Sequence, residues 1–496
     1  MRNLVFFADG TWNDNDNPTR LTNVNLLWKM SQSIGAENAP QITKYQPGVG
    51  ATGSAFAQLK GGGFGKGLDD KIIDAYRWLA ENYRPSDRIF LFGFSRGAYT
   101  VRSLVGMINH AELLDLSSED LSISSRRELA EVAFSSYRDR GADKSHLDAI
   151  KHHPRPDIHF LGCWDTVGAL GIPDDVNIIR KLSKPQKYSF NDTRLSENVV
   201  VARHAVSIDE VRRAYAPTLW EETEEPASRD MVQKWFPGVH ANVGGGYANR
   251  DLSDAALIWM AEEAAAAGLI IKSDHEVSLN PRPLGELHDS HTGLFGKLKS
   301  RPRSVPNFHG DDAVTAFSEG AIARHRANQG YWPTTMLAPG ESTLVAISAE
   351  EQWARTNVYL EPGQYRFVAE GKWKDAKVPH GPKGAKEAAL QLGHKVGNFW
   401  AGLEQRVAGN PAEPSTYSPA RRFGDAPWFA LVGVIANGSG VDQAKQAVVE
   451  HMTFEIGEQA EKPVTAGGYL YCYANDAWKF YFNNSGSLML TIQRIS

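Results

Sequence analysis

The strongest chemical signal in the sequence is a serine held between two glycines, in Gly93-Phe94-Ser95-Arg96-Gly97. A serine hydroxyl is a weak nucleophile at neutral pH, so it needs a neighbouring base, a group that orients the base and donors for the oxyanion. The Gly-x-Ser-x-Gly spacing, after a strand and before a helix, allows a sharp turn that projects the hydroxyl above a sheet. The segment therefore predicts Ser95 as the nucleophile of an acyl-transfer reaction.

The same turn predicts an acid and then a histidine later in the chain, each just beyond the end of a strand. Asp165 follows the apolar run at residues 157–163, and His240 follows the run at residues 231–236. Both would lie at the carboxyl ends of parallel strands, where open α/β sheets hold their ligands. We therefore predict that Asp165 orients His240, the general base. The alternatives that the sequence leaves open are Asp174 and Asp209 for the acid and His204 for the base.

An oxyanion formed at Ser95 would need two hydrogen-bond donors. The first predicted donor is the backbone N–H of Arg96, the residue after the nucleophile. The second should come from the loop after the first strand, where Gly10 and Thr11 are the candidates. This chemistry requires no metal or other cofactor, and the sequence lacks the His-Glu-x-x-His pattern of zinc proteases.

Hydrophobic patterning predicts the elements that position these residues. Continuous apolar runs predict buried strands at residues 4–8, 88–92, 157–163 and 231–236, with a short strand near Lys44 and Tyr45. Apolar residues three and four apart predict helices at residues 23–33, 69–83, 98–109 and 254–267, and a polar helical region at 117–150. The alternation of strands and helices predicts a mostly parallel central sheet. With the serine turn, it predicts an α/β-hydrolase fold.

The pattern changes from about Ser342 to short strands separated by turns, which predicts a C-terminal all-β sandwich. The predicted strands of that part are residues 356–360, 364–369, 429–435, 468–473 and 487–492. Two domains are therefore expected, a catalytic domain at 1–335 and an accessory domain at 342–496. Within the first, residues 275–335 show little periodicity, and we expect them to form a lid or a wrap around the catalytic domain.

Composition limits the class of protein. The 496 residues carry a net charge of -5 and no Lys/Arg-rich run, which argues against nucleic-acid binding. Two distant cysteines exclude a disulfide scaffold. The first residues are apolar too briefly for a signal peptide, and no run approaches the roughly 20 apolar residues that span a bilayer. We expect synthesis in the cytoplasm without a cleaved signal, and any export by another route.

Four segments in order carry a resemblance to a known family: Phe7–Asn13, Leu91–Tyr99, Trp164–Gly168 and Trp235–Tyr247. They are similar to the α/β-hydrolase domain shared by type VI secretion phospholipase effectors and many uncharacterised bacterial proteins. The resemblance covers roughly residues 1–330 and implies a triad of Ser95, Asp165 and His240. It also implies lipolytic activity, on phospholipid acyl esters, and delivery into rival cells by a secretion apparatus that the protein would bind.

The C-terminal part resembles small calcium-dependent, galactose-binding bacterial lectins, at Leu360–Gly363, Gly381–Gly384 and Asn475–Ser487. The resemblance implies a glycan partner and calcium ligands at Asp476, Asn483 and Asn484. The chain departs from the lectin pattern at Phe480, where the lectins use a threonine ligand. The alternative is that these Asn and Asp side chains only hold turns of a sandwich.

Three interpretations of the whole chain follow. The first is a lipolytic esterase that bears a lectin-like accessory domain. The second is a binding protein for glycan or an envelope partner, built on a hydrolase scaffold that no longer turns over. The third is an esterase for small soluble esters or thioesters. Ser95, Asp165 and His240 are all present, which favours an enzyme over the second interpretation.

Overall fold

The architecture is mixed α/β, with a parallel sheet in the first half of the chain and antiparallel sheets in the C-terminal part. A computed structural model of the chain describes residues 1–10, 20–31, 40–48, 63–139, 147, 150–168, 194–221, 230–293, 296, 299–385, 421–439, 441–442 and 447–496. The last strand of the parallel sheet ends at Phe236, and the first antiparallel strand begins at Ser342. The predicted domain boundary at residues 335–342 lies between these two strands.

The parallel sheet has six strands: β1 (Asn3–Ala8), β2 (Gln41–Gln46), β3 (Arg88–Phe94), β6 (Ile158–Trp164), β7 (Val199–Ser207) and β8 (Asp230–Phe236). Their order across the sheet is β2-β1-β3-β6-β7-β8. The short strands β4 (Leu113–Leu114) and β5 (His152–His153) pair separately. Every strand predicted for this sheet is present, and β7 is an additional strand that the sequence did not indicate.

Helices cover both faces of the parallel sheet. The helices are α1 (Asn23–Ser31), α2 (Gly63–Asn82), α3 (Arg96–Ala111), α4 (Ile123–Arg138), α5 (His240–Gly244), α6 (Ser253–Ala266), α7 (Ala313–Ala316) and α8 (Glu319–Ala327). Phe6 of β1 packs in one core with α2, α3 and α4, and its neighbour Phe7 packs in the opposite core with α1 and α6. Because both faces are buried, these strands are continuous apolar runs.

Within the described residues of the predicted helical region at 117–150, helix α4 begins at Ile123 and ends at Arg138. None of the helices in the described ranges has the length and hydropathy needed to span a bilayer.

Two antiparallel sheets form the C-terminal part and share one hydrophobic core. One sheet contains β10 (Ala354–Leu360), β13 (Lys383–Ala385), β14 (Trp428–Ala436), β17 (Met452–Glu455) and β19 (Gly468–Ala474). The other contains β9 (Ser342–Ser348), β11 (Gly363–Asp375), β12 (Val378–His380), β18 (Gln459–Val464) and β20 (Asn484–Arg494). A separate ladder joins β15 (Val441–Asp442) and β16 (Ala447–Val448).

The segment between the two parts runs along the edge strand β8. Phe317 forms a parallel bridge with Trp235, and the N–H of Ser318 donates to the Trp235 carbonyl at 2.9 Å. Trp235 and Phe317 belong to a buried cluster that also contains Tyr469 and other residues of β14 and β19. The segment at residues 275–335, which shows little periodicity, therefore joins the parallel sheet to the antiparallel part through buried aromatic contacts.

Candidate active site

Ser95 lies at the turn between β3 and α3, with its backbone at φ 57° and ψ -119°. A positive φ is uncommon for a residue with a Cβ and is stored strain that the surroundings must hold in place. A Cβ on Gly97 would overlap the backbone carbonyl oxygen of Ala8, and one on Gly93 would overlap the backbone of Gly97 and Ala98. Both glycines therefore allow the close helix–strand approach that fixes the serine turn.

The register of the sheet brings Ser95 and Asp165 to the same edge. Phe94 on β3 pairs with Trp164 on β6, so each of the two residues stands one position beyond a paired strand end. The N–H of Ser95 donates to the Trp164 carbonyl at 3.0 Å, and the N–H of Asp165 donates to the Ala205 carbonyl at 2.7 Å. This edge is the carboxyl end of the parallel strands, as the sequence predicted.

His240 begins α5 just beyond β8, after a turn in which Gly238 has φ 99°. Its Nδ1 lies 2.6 Å from Oδ2 of Asp165. The imidazole also packs against Phe94, at 4.6 Å between ring centroids, and edge-on against Tyr215 at 4.9 Å. Because Asp165 engages Nδ1, the nitrogen left for proton transfer is Nε2.

The three predicted residues thus lie at one edge of the sheet, and two of them are hydrogen-bonded. Ser95 is 4 % exposed and His240 is 6 % exposed. The described residues include no hydrogen bond between Ser95 Oγ and His240. Catalytic hydrogen bonds are often long in the free state and tighten when substrate binds.

Asp165 is completely buried, and its carboxylate is hydrogen-bonded to His240, Ser207 and Arg303. The backbone N–H and the hydroxyl of Ser207 donate to it at 2.8 and 3.3 Å. The guanidinium of Arg303 donates to both carboxylate oxygens, at 2.6 and 3.0 Å. Burial acts to raise the pKa of Asp165, but Arg303 and His240 outweigh burial and hold that pKa well below its usual range. No sequence pattern indicates Arg303, which lies in the segment without periodicity.

Burial also lowers the pKa of His240, although the hydrogen bond and negative charge of Asp165 oppose this effect. Arg212 adds to the lowering, and it packs on the ring of Tyr215 at 3.5 Å from the centroid. A lowered pKa keeps the imidazole neutral at pH 7, which is the state in which it can accept a proton.

The alternatives for the acid and the base have other partners. The Nε2 of His204 accepts the N–H of Thr166 at 3.1 Å, its Nδ1 lies 3.2 Å from the Gln233 amide oxygen, and burial lowers its pKa to about 3. Asp209 accepts hydrogen bonds from the Gly238 N–H, the Tyr331 hydroxyl and the Trp332 indole, at 2.7 to 2.9 Å. Both therefore stabilise the fold around the site. Asp174 lies outside the described residues.

The predicted oxyanion donors have different surroundings. Arg96 is the first residue of α3, where backbone N–H groups lack an acceptor within the helix. Burial lowers the pKa of its side chain to about 10. The N–H of Gly10 donates to Oδ1 of Asp9 at 2.6 Å, so Gly10 would have to exchange this bond to serve an oxyanion. Thr11 lies outside the described residues, and both second-donor candidates stay predictions.

Of the predicted calcium ligands, Asp476 follows β19, and Asn483 and Asn484 lie at the start of β20. The side-chain amide of Asn484 donates to Oδ2 of Asp476 at 3.1 Å, and that of Asn483 donates to Asp375 at 2.7 Å. The amide oxygens of Asn483 and Asn484 are buried without a hydrogen-bond partner. Burial raises the pKa of Asp476 to about 6. Amide and carboxylate oxygens are ligand types that Ca²⁺ takes.

Across the residues that the structure describes, no group of three or more His, Cys, Asp or Glu side chains could hold a metal ion.

Comparisons with known proteins give relatives of limited coverage. An uncharacterised protein of Saccharomyces cerevisiae, YEL023C, is 30% identical over 229 residues, which are 42% of this chain and 31% of the yeast protein. The chain thus spans less than a third of that relative.

Three solved structures are also similar to parts of the chain. An uncharacterised protein from Pseudomonas aeruginosa matches with 19% identity and a TM-score of 0.33, over 55% of this chain and 46% of its own. A Tle1 effector bound to the VgrG spike of the type VI secretion system matches with 17% identity and a TM-score of 0.30, over 50% of this chain and 52% of its own. The N-terminal domain of EclA, described as a PllA-like lectin, matches with 14% identity and a TM-score of 0.18, over 30% of this chain and 94% of its own.

The family comparison covers the whole parallel sheet. Residues 2–263 match the family described as the catalytic domain of Tle1-like phospholipase effectors of the type VI secretion system. The matched range is more than half of the 496 residues and contains Ser95, Asp165 and His240. The chain therefore belongs to the Tle1-like family of type VI secretion phospholipase effectors.

Proposed function

We propose that this protein is a serine esterase that hydrolyses acyl esters of phospholipids through Ser95, His240 and Asp165. The observation that carries the proposal is the 2.6 Å contact between His240 Nδ1 and Asp165 Oδ2, at the sheet edge where the strained Ser95 turn lies. Membership of a phospholipase effector family supports a lipid substrate.

In the first half of the reaction, His240 Nε2 takes the proton from Ser95 Oγ as this oxygen attacks the ester carbonyl carbon. The resulting oxyanion would accept the N–H of Arg96. The imidazolium then gives its proton to the departing alcohol, a lysophospholipid, and leaves an acyl group on Ser95. In the second half, His240 takes a proton from water as the water oxygen attacks the acyl carbon, and then gives this proton to Ser95 Oγ as the bond to the acyl group breaks and the fatty acid leaves. Asp165 stabilises the imidazolium in both halves.

An α/β-hydrolase fold belongs to the same proposal. The strand order β2-β1-β3-β6-β7-β8 is entirely parallel and is covered by helices on both faces. The nucleophile follows β3, the acid follows β6 and the histidine follows β8, which is the chain order of triads in that fold. A two-domain division at residues 1–335 and 342–496 goes with it, since each part has a core of its own, and a further buried cluster joins the two parts.

The substrate class is tested by measuring hydrolysis of phospholipid vesicles and of short-chain soluble esters by the full chain. Wild type is expected to release fatty acid from phospholipid vesicles, and Ser95→Ala is expected to release none. Hydrolysis of short-chain soluble esters without any hydrolysis of vesicle phospholipid would favour an esterase for small substrates. Inactivity of wild type on both substrates would favour the binding-protein interpretation.

Delivery by a type VI secretion system is also proposed, because the chain belongs to a family of type VI effectors. One solved relative is a Tle1 effector bound to the VgrG spike, and we propose a spike protein as the partner of this chain. Co-purification of the full chain with the VgrG proteins of its own cell tests this. Absence of any complex with each of them would contradict the proposal.

Calcium binding in the C-terminal part is a second proposal, supported by the unpartnered amide oxygens of Asn483 and Asn484. With Asp476 they would supply three oxygen ligands, and the ion would satisfy all three. An open groove of about 610 Å³ next to Asn484, with Phe482 and Gln352 in its lining, could hold the glycan that the lectin resemblance implies. Calorimetry of the full chain with galactosides, with and without calcium, tests both ideas. A flat titration would reject sugar binding.

A further inference from the structure

Residues 300–303 link the catalytic site to the antiparallel part through adjacent side chains. Arg301 points into the antiparallel part, where Nη2 donates to the carbonyls of Gly438 and Val449. His451 Nε2 lies 2.8 Å from the carbonyl of Pro302. The N–H of Gly438 donates to Nδ1 of the same histidine at 2.9 Å, so Nε2 carries the proton and donates to Pro302. These contacts hold Arg301 and Pro302 from the antiparallel side, and on the other side the N–H of Arg301 donates to the Val211 carbonyl at 2.6 Å.

Arg303 points the other way, into the parallel sheet, and is 4 % exposed. Its Nη1 donates to Asp165 Oδ1 at 2.6 Å and to the Ser207 carbonyl at 2.7 Å. Its Nη2 donates to Asp165 Oδ2 at 3.0 Å and to the Tyr215 carbonyl at 2.7 Å. A planar guanidinium that meets both oxygens of a carboxylate fixes the plane of that carboxylate as well as its charge.

We propose that Arg303 is a positioning residue that holds the Asp165 carboxylate toward His240, and that the antiparallel part holds Arg303 in place through Arg301 and Pro302. The inference rests on the proposed triad and extends it, because Arg303 lies outside the matched residues 2–263. It assigns the C-terminal part a role in catalysis besides any binding of its own.

The physical reason is that Asp165 is buried and charged. A buried carboxylate without a counter-charge stabilises the charged form of the neighbouring imidazole more strongly, so the pKa of His240 would rise. Arg303 supplies that counter-charge and leaves His240 neutral. The ionisable groups that face His240 or its acid from the surrounding elements are Asp165, His204, Glu210, Arg212, Tyr215 and Arg303.

The test uses the full chain with Arg303→Met and Arg303→Lys, assayed below their unfolding temperatures. Arg303→Met is expected to lower kcat about a hundredfold with KM changed only a few-fold, because a small displacement of a catalytic group has effects of that size. Arg303→Lys keeps the positive charge but cannot donate to both Asp165 oxygens in one plane. We expect its kcat to lie between those of Arg303→Met and wild type. A fall in thermal stability with kcat unchanged in both variants would overturn the proposal.

A spectroscopic readout separates this inference from the proposed function. NMR of histidine-labelled protein, with the His240 signals assigned from His240→Gln, reports the Nδ1 proton and the pKa of this ring. Arg303→Met is expected to shift the NMR signal of the Nδ1 proton and to raise the pKa of His240. This result does not depend on which ester, if any, the protein hydrolyses. If wild type hydrolyses no ester, the proposed function fails, and unchanged His240 signals in Arg303→Met would separately overturn the positioning role.

The contribution of the antiparallel part is tested with Arg301→Met. We expect a smaller change in the same direction, about tenfold in kcat, with the His240 Nδ1 signal displaced toward that of Arg303→Met. The matched control is Arg366→Met, which removes an exposed ion pair with Glu461 in the antiparallel part. Equal kcat and equal His240 signals in Arg301→Met and Arg366→Met would overturn the link between the two parts.

Discussion

Two buried carboxylates, Asp165 in the parallel part and Asp476 in the antiparallel part, differ in how their charge is satisfied. Asp165 accepts five hydrogen bonds, two of them from the Arg303 guanidinium, and its pKa is lowered. Asp476 accepts the N–H of Ala477 and the amide of Asn484, and burial raises its pKa to about 6. The first site contains its own counter-charge, whereas the second has more acceptors than donors, as a cation site would.

The largest expected effect on kcat comes from changing Asp165, the carboxylate with five hydrogen bonds. Asp165→Asn should lower kcat about 10⁴-fold, because an amide cannot hold the His240 ring in the tautomer that accepts a proton at Nε2. Rates of ester hydrolysis at saturating substrate measure this. Asp425→Asn, which changes an exposed carboxylate in the antiparallel part, should leave kcat unchanged. A fall of less than tenfold in Asp165→Asn would remove Asp165 from the catalytic role.

Calcium should stabilise the protein through Asp476 and not through Asp165, whose charge Arg303 already balances. An ion that binds only the folded state stabilises it by roughly 3 kcal/mol at a hundred times its dissociation constant, so Tm should rise by a few degrees. Asp476→Asn should abolish this rise, and Asp425→Asn should retain it. Differential scanning calorimetry with calcium and with a chelator makes the measurement. Equal Tm values under both conditions in wild type would contradict a calcium site.

The smallest expected effect is on the pH dependence of catalysis. The neutral form of His240 is the base, and its lowered pKa extends that form to lower pH. The acid limb of the kcat/KM profile should therefore lie below about pH 6.5, the ordinary value for histidine. Arg303→Met should move this limb to higher pH. A wild-type limb above pH 7 would mean that Asp165 outweighs burial and that the base is charged at rest.

The sheet strands could be predicted because burial on both faces makes them continuous apolar runs, as in β1 and β3. β7 escaped prediction because Arg203 and His204 interrupt its apolar run. Arg203 is nevertheless buried, since Asp230 and Glu263 pair with it at 2.7 Å. Such pairing depends on tertiary contacts that hydrophobic patterning does not contain.

The candidate site was predictable to a similar extent. Ser95, Asp165 and His240 could be proposed because each follows a strand that the sequence indicates, and the sheet then brings them to one edge. Arg303 could not be proposed, because it lies in an irregular segment and acts only through a contact across the fold. The orphaned oxygens of Asn483 and Asn484 likewise appear only when the turn is folded around them.

The most direct test of the account is reaction of the full chain with a fluorophosphonate, followed by mass spectrometry of its peptides. Such a reagent forms a stable adduct only with a serine that a neighbouring base activates. We predict one adduct, on Ser95, in wild type, and its loss in both Ser95→Ala and His240→Gln. An adduct on another residue, or labelling that persists in Ser95→Ala, would contradict the assignment of the nucleophile.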